Sequence, residues 1–182
     1  MSTMRGMESL TVLLVDDNRH MRRLLKSMLR AFGFKTILEA SDGRSALRAA
    51  QDSFIDLVLV DWAMGQLDGL QLTNALRTSP DSLNPYCTII MVSGHAGLSR
   101  VMRARDAGVN SFLAKPVSAA SLRAHLKLAF SDMRPFVRAP SYRGPDRRGG
   151  RHRTYAGPLR RREDERLKLH AAQNDAGDAL YL

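Results

Sequence analysis

Five short apolar runs alternate with stretches whose apolar residues recur every three or four positions, and this alternation restricts the fold more than any other feature of the chain. The runs fall at residues 11–15, 35–39, 57–60, 88–92 and 111–114, and Leu, Ile and Val dominate them. Consecutive apolar residues leave neither face of a strand suited to water, so each run needs cover on both sides. A parallel sheet between two helix layers gives that cover, and the intervening repeats give the helices.

The first helix follows from spacing. Met21, Leu24, Leu25, Met28 and Phe32 fall at i, i+3, i+4, i+7 and i+11, one stripe of a helix, while Arg22, Arg23, Lys26 and Arg30 occupy the rest. Gly33 stops it, and Asp16 or Asp17 is placed to cap its start near Arg19. Further helices are expected over 43–51, 69–77, 98–107 and 119–133, the last capped by Ser118 with Leu122, Leu126 and Phe130 beneath it. Five βα units in sequence imply an α/β domain with a doubly wound, five-stranded parallel sheet of the flavodoxin-like kind. It spans residues 10–133 after a lead at 1–9, and the stretch 78–86 reads as a surface loop between the third helix and the fourth strand.

Beyond Met133 the character of the chain changes. Residues 134–162 hold ten arginines with Asp146 as the only acid, and Pro135, Pro140, Pro145 and Pro158 interrupt any helix. Apolar residues are too sparse for a core, so 134–182 is expected to be an extended or disordered, largely irregular basic tail. It contains a near-repeat, Tyr142 to Arg148 and Tyr155 to Arg161, offset by 13 positions. Tyr142, Arg147, Arg148, Tyr155, Arg160 and Arg161 are therefore candidate docking residues. A short helix over 160–173 is compatible with acids at its start and Lys168 and His170 later.

The whole chain carries 28 Lys and Arg against 18 Asp and Glu, a formal charge of +10. That surplus suits nucleic acid, an acidic membrane surface or an acidic protein without choosing among them. The single cysteine, Cys87, rules out an intramolecular disulfide and fits a reducing, cytoplasmic location. No apolar stretch approaches the roughly 18 residues needed to cross a bilayer. The leading run, ending at Asp16 and Asp17, is too short for a secretory signal.

Ligands of an open parallel sheet collect at the carboxyl ends of its strands, and the polar residues of this chain gather there. Asp16 and Asp17 end the first strand, Asp61 the third, Ser93 the fourth and Lys115 the fifth. A lone strand-end Asp usually caps a helix or makes a turn, a lone Ser makes a turn and a lone Lys is solvated. The conjunction carries more weight. Three carboxylates, a hydroxyl and an ammonium on one rim can hold Mg²⁺ in oxygen coordination and meet phosphoryl oxygens.

The segments 12–25 (VLLVDDNRHMRRLL), 39–47 (EASDGRSAL), 56–64 (DLVLVDWAM), 91–95 (MVSGH) and 112–116 (FLAKP) together resemble the response-regulator receiver family over about residues 10–130. The chemotaxis-type single-domain members are especially similar at the first helix. The resemblance implies that Asp61 is the phosphoacceptor, that Asp17 binds Mg²⁺ directly and that Asp16 binds it partly through water. It further implies that the carbonyl of Ala63 completes the protein ligands and that Lys115 pairs with the phosphoryl group. Ser93 would hydrogen-bond that group, and Phe112 would be an aromatic switch that turns inward when Ser93 moves. Gly65 departs from the family pattern, standing where proline is common after Met64, and Ala63 and His95 fill two variable positions.

The function so implied is a phosphoacceptor switch rather than an enzyme, loaded by a sensor histidine kinase or a histidine phosphotransfer protein. The alternative is a nucleic-acid-binding regulator whose output is the arginine-rich tail. Against it, no helix-turn-helix or other folded reader is visible after Met133. Stable membrane attachment is not expected, since the tail has no lipid anchor and no amphipathic apolar face.

Overall fold

The computed structural model describes residues 6–132, 134–139 and 142–147. After a short 3-10 turn at Met7–Ser9, strands and helices alternate. They are β1 (Thr11–Val15), α1 (Arg19–Ala31), β2 (Thr36–Ala40), α2 (Gly43–Asp52), β3 (Leu57–Asp61) and α3 (Gly69–Thr78). There follow β4 (Thr88–Ser93), α4 (Leu98–Asp106), β5 (Ser111–Ala114) and α5 (Ala119–Phe130). The five strands form one parallel sheet in the order β2-β1-β3-β4-β5. This is the flavodoxin-like arrangement that the alternating runs require.

The central strands are buried on both faces, as continuous apolar runs demand. Leu13, Val15, Val58, Val60, Ile89 and Met91 point to one layer, where Ala46, Ala50, Leu72, Leu76 and Ala104 of α2, α3 and α4 cover them. Val12, Leu14, Leu57, Leu59, Ile90 and Val92 point to the other, under Leu25 and Leu29 of α1 and Leu122 and Leu126 of α5. Each Val, Leu, Ile or Met side chain among them contributes about 1.5–3 kcal/mol by leaving water.

Side-chain caps start four of the five helices. Asn18 caps α1, Asp42 caps α2, Asp68 caps α3 in a capping box with Gln71, and Ser118 caps α5 in one with Ser121. The capping carboxylate of Asp42 is held below the usual carboxylate range, first by the Ser45 backbone N–H it accepts. Helix α4 begins at Gly97 with no capping side chain, and Ala104 is its one buried residue.

Two readings of α1 need correction. Asn18, not Asp16 or Asp17, is the cap, its Oδ1 accepting from the backbone N–H of His20 at 2.9 Å and Met21 at 3.2 Å. Leu24 is exposed, and Leu29 takes its place in the core beside Leu25 and Phe32. The helix ends as expected, with Gly33 at φ 103°, a backbone state that glycine enters without strain. The loop after α3 is less free than its length suggests. Buried Asn84 accepts from Ile55 N at 2.7 Å and donates to the carbonyls of Ala50 and Ser53.

Helix α5 stops at Phe130, short of Met133, and the chain turns toward the α4–β5 connection. The Asp132 carboxylate draws it there, accepting from Arg134 Nε at 2.7 Å and from Asn110 Nδ2 at 3.2 Å. Beyond it, β6 (Phe136–Ala139) and β7 (Tyr142–Pro145) pair antiparallel as a separate two-stranded sheet. The start of the basic tail is therefore extended but not free.

Phe136 meets the Tyr86 ring edge-on at 4.7 Å, and Tyr142 is buried with the Arg147 guanidinium 4.0 Å above its ring. Gly144 packs directly against Gly108. The organising side chain is Arg77 on α3, only 1% exposed. It donates to the carbonyls of Pro85, Cys87 and Gly108 and to Asn110 Oδ1, and it lies 5.4 Å from the Phe136 ring centre. The hairpin thus sits at the amino-end rim of the sheet, borrowing apolar cover from the domain instead of building a core.

Candidate functional site

The opposite rim carries the acidic residues. Strand order reverses between β1 and β3, so their carboxyl ends diverge and leave a crevice, the place where α/β sheets bind ligands. Asp16 follows β1 directly and Asp61 is the last residue of β3. Both are buried, at 1% and 6% exposure, while Asp17 lies open to solvent. One ligand oxygen from each of Asp16, Asp17 and Asp61 lies within 4.8 Å of the other two.

Lys115, one residue past β5, reaches across to this cluster. Its Nζ is 3.0 Å from Asp61 Oδ1 and 3.2 Å from Asp16 Oδ2. The main chain prepares these positions. Lys115 N donates to Ser93 O at 2.8 Å, Trp62 N to Val92 O at 2.8 Å, and Asp16 Oδ1 accepts from Asn18 N at 2.8 Å. The loop behind Asp61, where Gly65 stands, is closed by a bond from Gly69 N to Trp62 O at 3.1 Å.

The electrostatics follow from burial and crowding. Desolvation pushes the Asp61 carboxyl above its ordinary pKa. The Lys115 hydrogen bond and charge oppose that rise, while the charges of Asp16 and Asp17 add to it. Burial alone would lower the Lys115 ammonium, but its hydrogen bond to Asp61 and the charges of Asp61 and Asp16 raise it above the ordinary value. Among the described residues three carboxylates share one ammonium, so the cluster has room for further positive charge.

A hard divalent cation meets that need. Oxygen ligands of Mg²⁺ stand roughly 3 Å apart when adjacent and about 4.2 Å apart when opposite, given metal–oxygen distances near 2.1 Å. The three ligand oxygens, within 4.8 Å of one another, can surround one such ion once the carboxylates draw in around it.

Ser93 is buried on the same rim, but its hydroxyl is engaged locally. It donates to the carbonyl of His95 at 3.0 Å and accepts from His95 N at 3.1 Å. Phe112 on β5 is part-buried and meets Trp62 edge-on at 6.3 Å. Ala63 lies exposed in the β3–α3 loop, and His95 is exposed after β4.

Trp62 escaped the sequence reading. Buried beside Asp61, it has the guanidiniums of Arg100 and Arg103 at 5.3 and 5.5 Å from its ring centre, tying α4 to the acidic site. A lone Trp after a strand-end Asp, with arginines one helix later, was the available signal.

The candidate tail residues do not join the site. Tyr142 is buried in the hairpin and Arg147 pairs with Asp106 at 3.2 Å. Arg148, Tyr155, Arg160, Arg161 and the helix expected over 160–173 lie outside the described residues. Among the described residues no helix is long and apolar enough to cross a membrane.

Comparison with known proteins places these features in context. The pattern of the response regulator receiver domain matches residues 12–127. Chemotaxis protein CheY-3 of Vibrio cholerae is 33% identical over 123 residues, covering 68% of this chain and 93% of that protein. The structure of Vibrio cholerae CheY4 superposes with a TM-score of 0.61 at 25% identity, covering 66% of this chain and 98% of that one. A response regulator protein from Burkholderia pseudomallei, solved with a phosphorylated aspartic acid, calcium ion and citrate, gives 0.58 at 27% identity. It matches over 65% of this chain and 66% of its own. Each of the three likenesses covers about two thirds of this chain, and the family pattern ends at residue 127.

Proposed function

The chain belongs to the response-regulator receiver family, and from that premise we propose that it is the phosphoacceptor switch of a two-component pathway, loaded on Asp61 by a histidine kinase or a histidine phosphotransfer protein. The observation that carries this reading is the contact of Lys115 Nζ with Asp61 Oδ1, at 3.0 Å, on a rim shared with Asp16 and Asp17. The phosphorylated aspartic acid of the Burkholderia protein supports it by relationship.

In the transfer, an Asp61 carboxylate oxygen bonds to phosphorus as the bond from phosphorus to the donor's imidazole nitrogen breaks, the nitrogen keeping the electron pair. A carboxylate is a modest nucleophile, so the rate rests on in-line positioning and charge neutralisation. Lys115 neutralises one equatorial oxygen. When bound, Mg²⁺ would neutralise others, held by the carboxylates of Asp16, Asp17 and Asp61 and the carbonyl of Ala63. Asp61 must be ionised to attack, and the hydrogen bond and charge of Lys115 favour that form against the burial that raises its pKa.

The phosphoryl group adds nearly two negative charges beside Ser93. To meet it, the Ser93 hydroxyl releases the His95 carbonyl that it now holds, and Phe112 moves inward against Trp62. Helix α4 has no side-chain cap, one buried residue and two arginines on Trp62. It is the element readiest to follow, and the surface of α4, β5 and α5 is the one whose partner contact changes. The chain acts as a switch that assists its own phosphorylation and dephosphorylation, with the cytoplasm as its place of work.

The test is phosphoryl labelling from acetyl phosphate, or from a kinase, in Mg²⁺. Asp61→Asn and Lys115→Ala each abolish labelling, and a fully labelled Asp61→Asn protein removes Asp61 as the acceptor.

A further inference from the structure

The carboxylate of Asp17 has no side-chain hydrogen bond or ion pair to fix it among the described residues, although it is one of the three that converge at the site. Its direction is therefore set by the main chain between β1 and α1. One side chain grips that main chain from outside. Arg22, in the first turns of α1, turns its guanidinium back over the loop. Nη1 donates to the carbonyl of Asp16 at 2.7 Å and to that of Asp17 at 3.3 Å.

The guanidinium is itself anchored. Its Nε lies 4.0 Å from Glu39 Oε2 on β2, and the other Glu39 oxygen is held by Lys26. The Arg22 side chain is 17% exposed, so the bonds form in a partly desolvated place where they hold geometry firmly. On the inner side of the same loop, Asp16 N donates to Ala40 O at 3.3 Å and Asp16 Oδ1 accepts from Asn18 N. The acidic pair is thus held from β2 on one side and by Arg22 on the other.

We propose that Arg22 is a positioning residue for divalent-cation binding: it touches neither cation nor phosphoryl group and acts by fixing the carbonyls of Asp16 and Asp17, so that the Asp17 carboxylate faces Asp61. The proposal rests on the reading of this cluster as a Mg²⁺ site.

Charge and position predict opposite signs, which makes the idea testable. A guanidinium near three carboxylates repels an incoming cation, so a purely electrostatic Arg22 would weaken Mg²⁺ binding, and its removal would tighten it. A positioning Arg22 does the reverse. Outer contacts that orient metal ligands typically change affinity by 10–100-fold, and a backbone grip belongs near the low end, at roughly tenfold.

The experiment titrates Mg²⁺ alone into the full chain, following Trp62 fluorescence with calorimetry as a check, beside thermal melts without the ion. Arg22→Gln is compared with Arg23→Gln, which removes the same charge from an exposed neighbour that has no hydrogen bond or ion pair to the loop among the described residues. The expected result is a roughly tenfold weaker Mg²⁺ Kd for Arg22→Gln and an unchanged or slightly tighter one for Arg23→Gln. Arg22→Lys, which keeps the charge and one donor group, lies between wild type and Arg22→Gln. It also decides the matter should Arg22→Gln fail to fold.

A Kd for Arg22→Gln equal to or tighter than wild type overturns the proposal, as does a lowered melting temperature with an unaltered Kd. Absence of Mg²⁺ binding by the wild-type chain strikes instead at the reading of the site itself.

Discussion

Replacing Arg77 by Met keeps most of the side-chain volume and removes the fork that joins α3, the start of β4, the α4–β5 connection and the hairpin. In the native chain Nε and Nη2 both donate to Gly108 O, at 3.1 and 3.0 Å, and Nη1 donates to Pro85 O and Cys87 O, each at 2.8 Å. Pro85 is part-buried and can turn to water, and Asn110 Oδ1 keeps its bond from Ile89 N at 2.9 Å. The carbonyls of Cys87 and Gly108 are left buried without these donors, at about 1–3 kcal/mol each. The lost contact with the Phe136 ring adds about 0.5–1 kcal/mol. Recovered desolvation of the guanidinium offsets part of this sum, and the net expectation is a loss of about 3 kcal/mol. With a urea slope near 2 kcal/mol/M, the unfolding midpoint falls by about 1.5 M. Equilibrium urea unfolding followed by far-UV circular dichroism measures it. A midpoint within about 0.3 M of wild type would refute the reasoning, because two buried carbonyls would then have lost their donors without cost.

Three further outcomes are expected. Tyr142→Ala empties the buried ring site of the hairpin and lowers stability by about 2–3 kcal/mol, below the usual range for a large aromatic because the hairpin can undock; removing everything after Asp132 sets the upper limit of this loss, and thermal melts of both proteins check it. A Cβ on Gly69 falls inside contact distance of the Asp61 carbonyl oxygen and 3.1 Å from Trp62 Cα. Gly69→Ala therefore displaces the phosphoacceptor loop, costing about 1–3 kcal/mol together with a weaker Mg²⁺ affinity, both measurable by titration of Trp62 fluorescence and melting. The third concerns pH. The folded-state pKa of Asp61 is raised by burial, so the fold binds its proton more readily than the unfolded chain does. Ionised Asp61 then costs stability at neutral pH. That cost falls as pH drops through the folded value and is gone below the unfolded value near about 3.9. Asp61→Asn accordingly melts higher than wild type at pH 7 without divalent ions, and the difference disappears on acidification. A lower melting temperature for Asp61→Asn at pH 7 contradicts this.

Five apolar runs, their order and the polar residues ending four of them were enough to derive the sheet and the rim that holds Asp16, Asp17, Asp61, Ser93 and Lys115. The reason is geometric: in a parallel sheet every strand ends at the same edge, so strand-end residues far apart in the chain share one rim whatever the details of packing. Other properties depended on how surfaces meet. The apolar stripe of α1 is wide enough to include Leu24 or Leu29, and only the rotation of the helix on the sheet chose Leu29 for the core. Asn18 won the cap because Asp16 turned its carboxylate into the site. Arg77 reads as a surface arginine until four carbonyl and amide oxygens from two separate segments are brought round it, and residues 136–139 and 142–145 read as an arm because their cover belongs to the domain they dock on. The grip of Arg22 on the acidic pair is of the same kind. Local pattern determined which residues could be functional, and three-dimensional contact alone decided which were held in place to act.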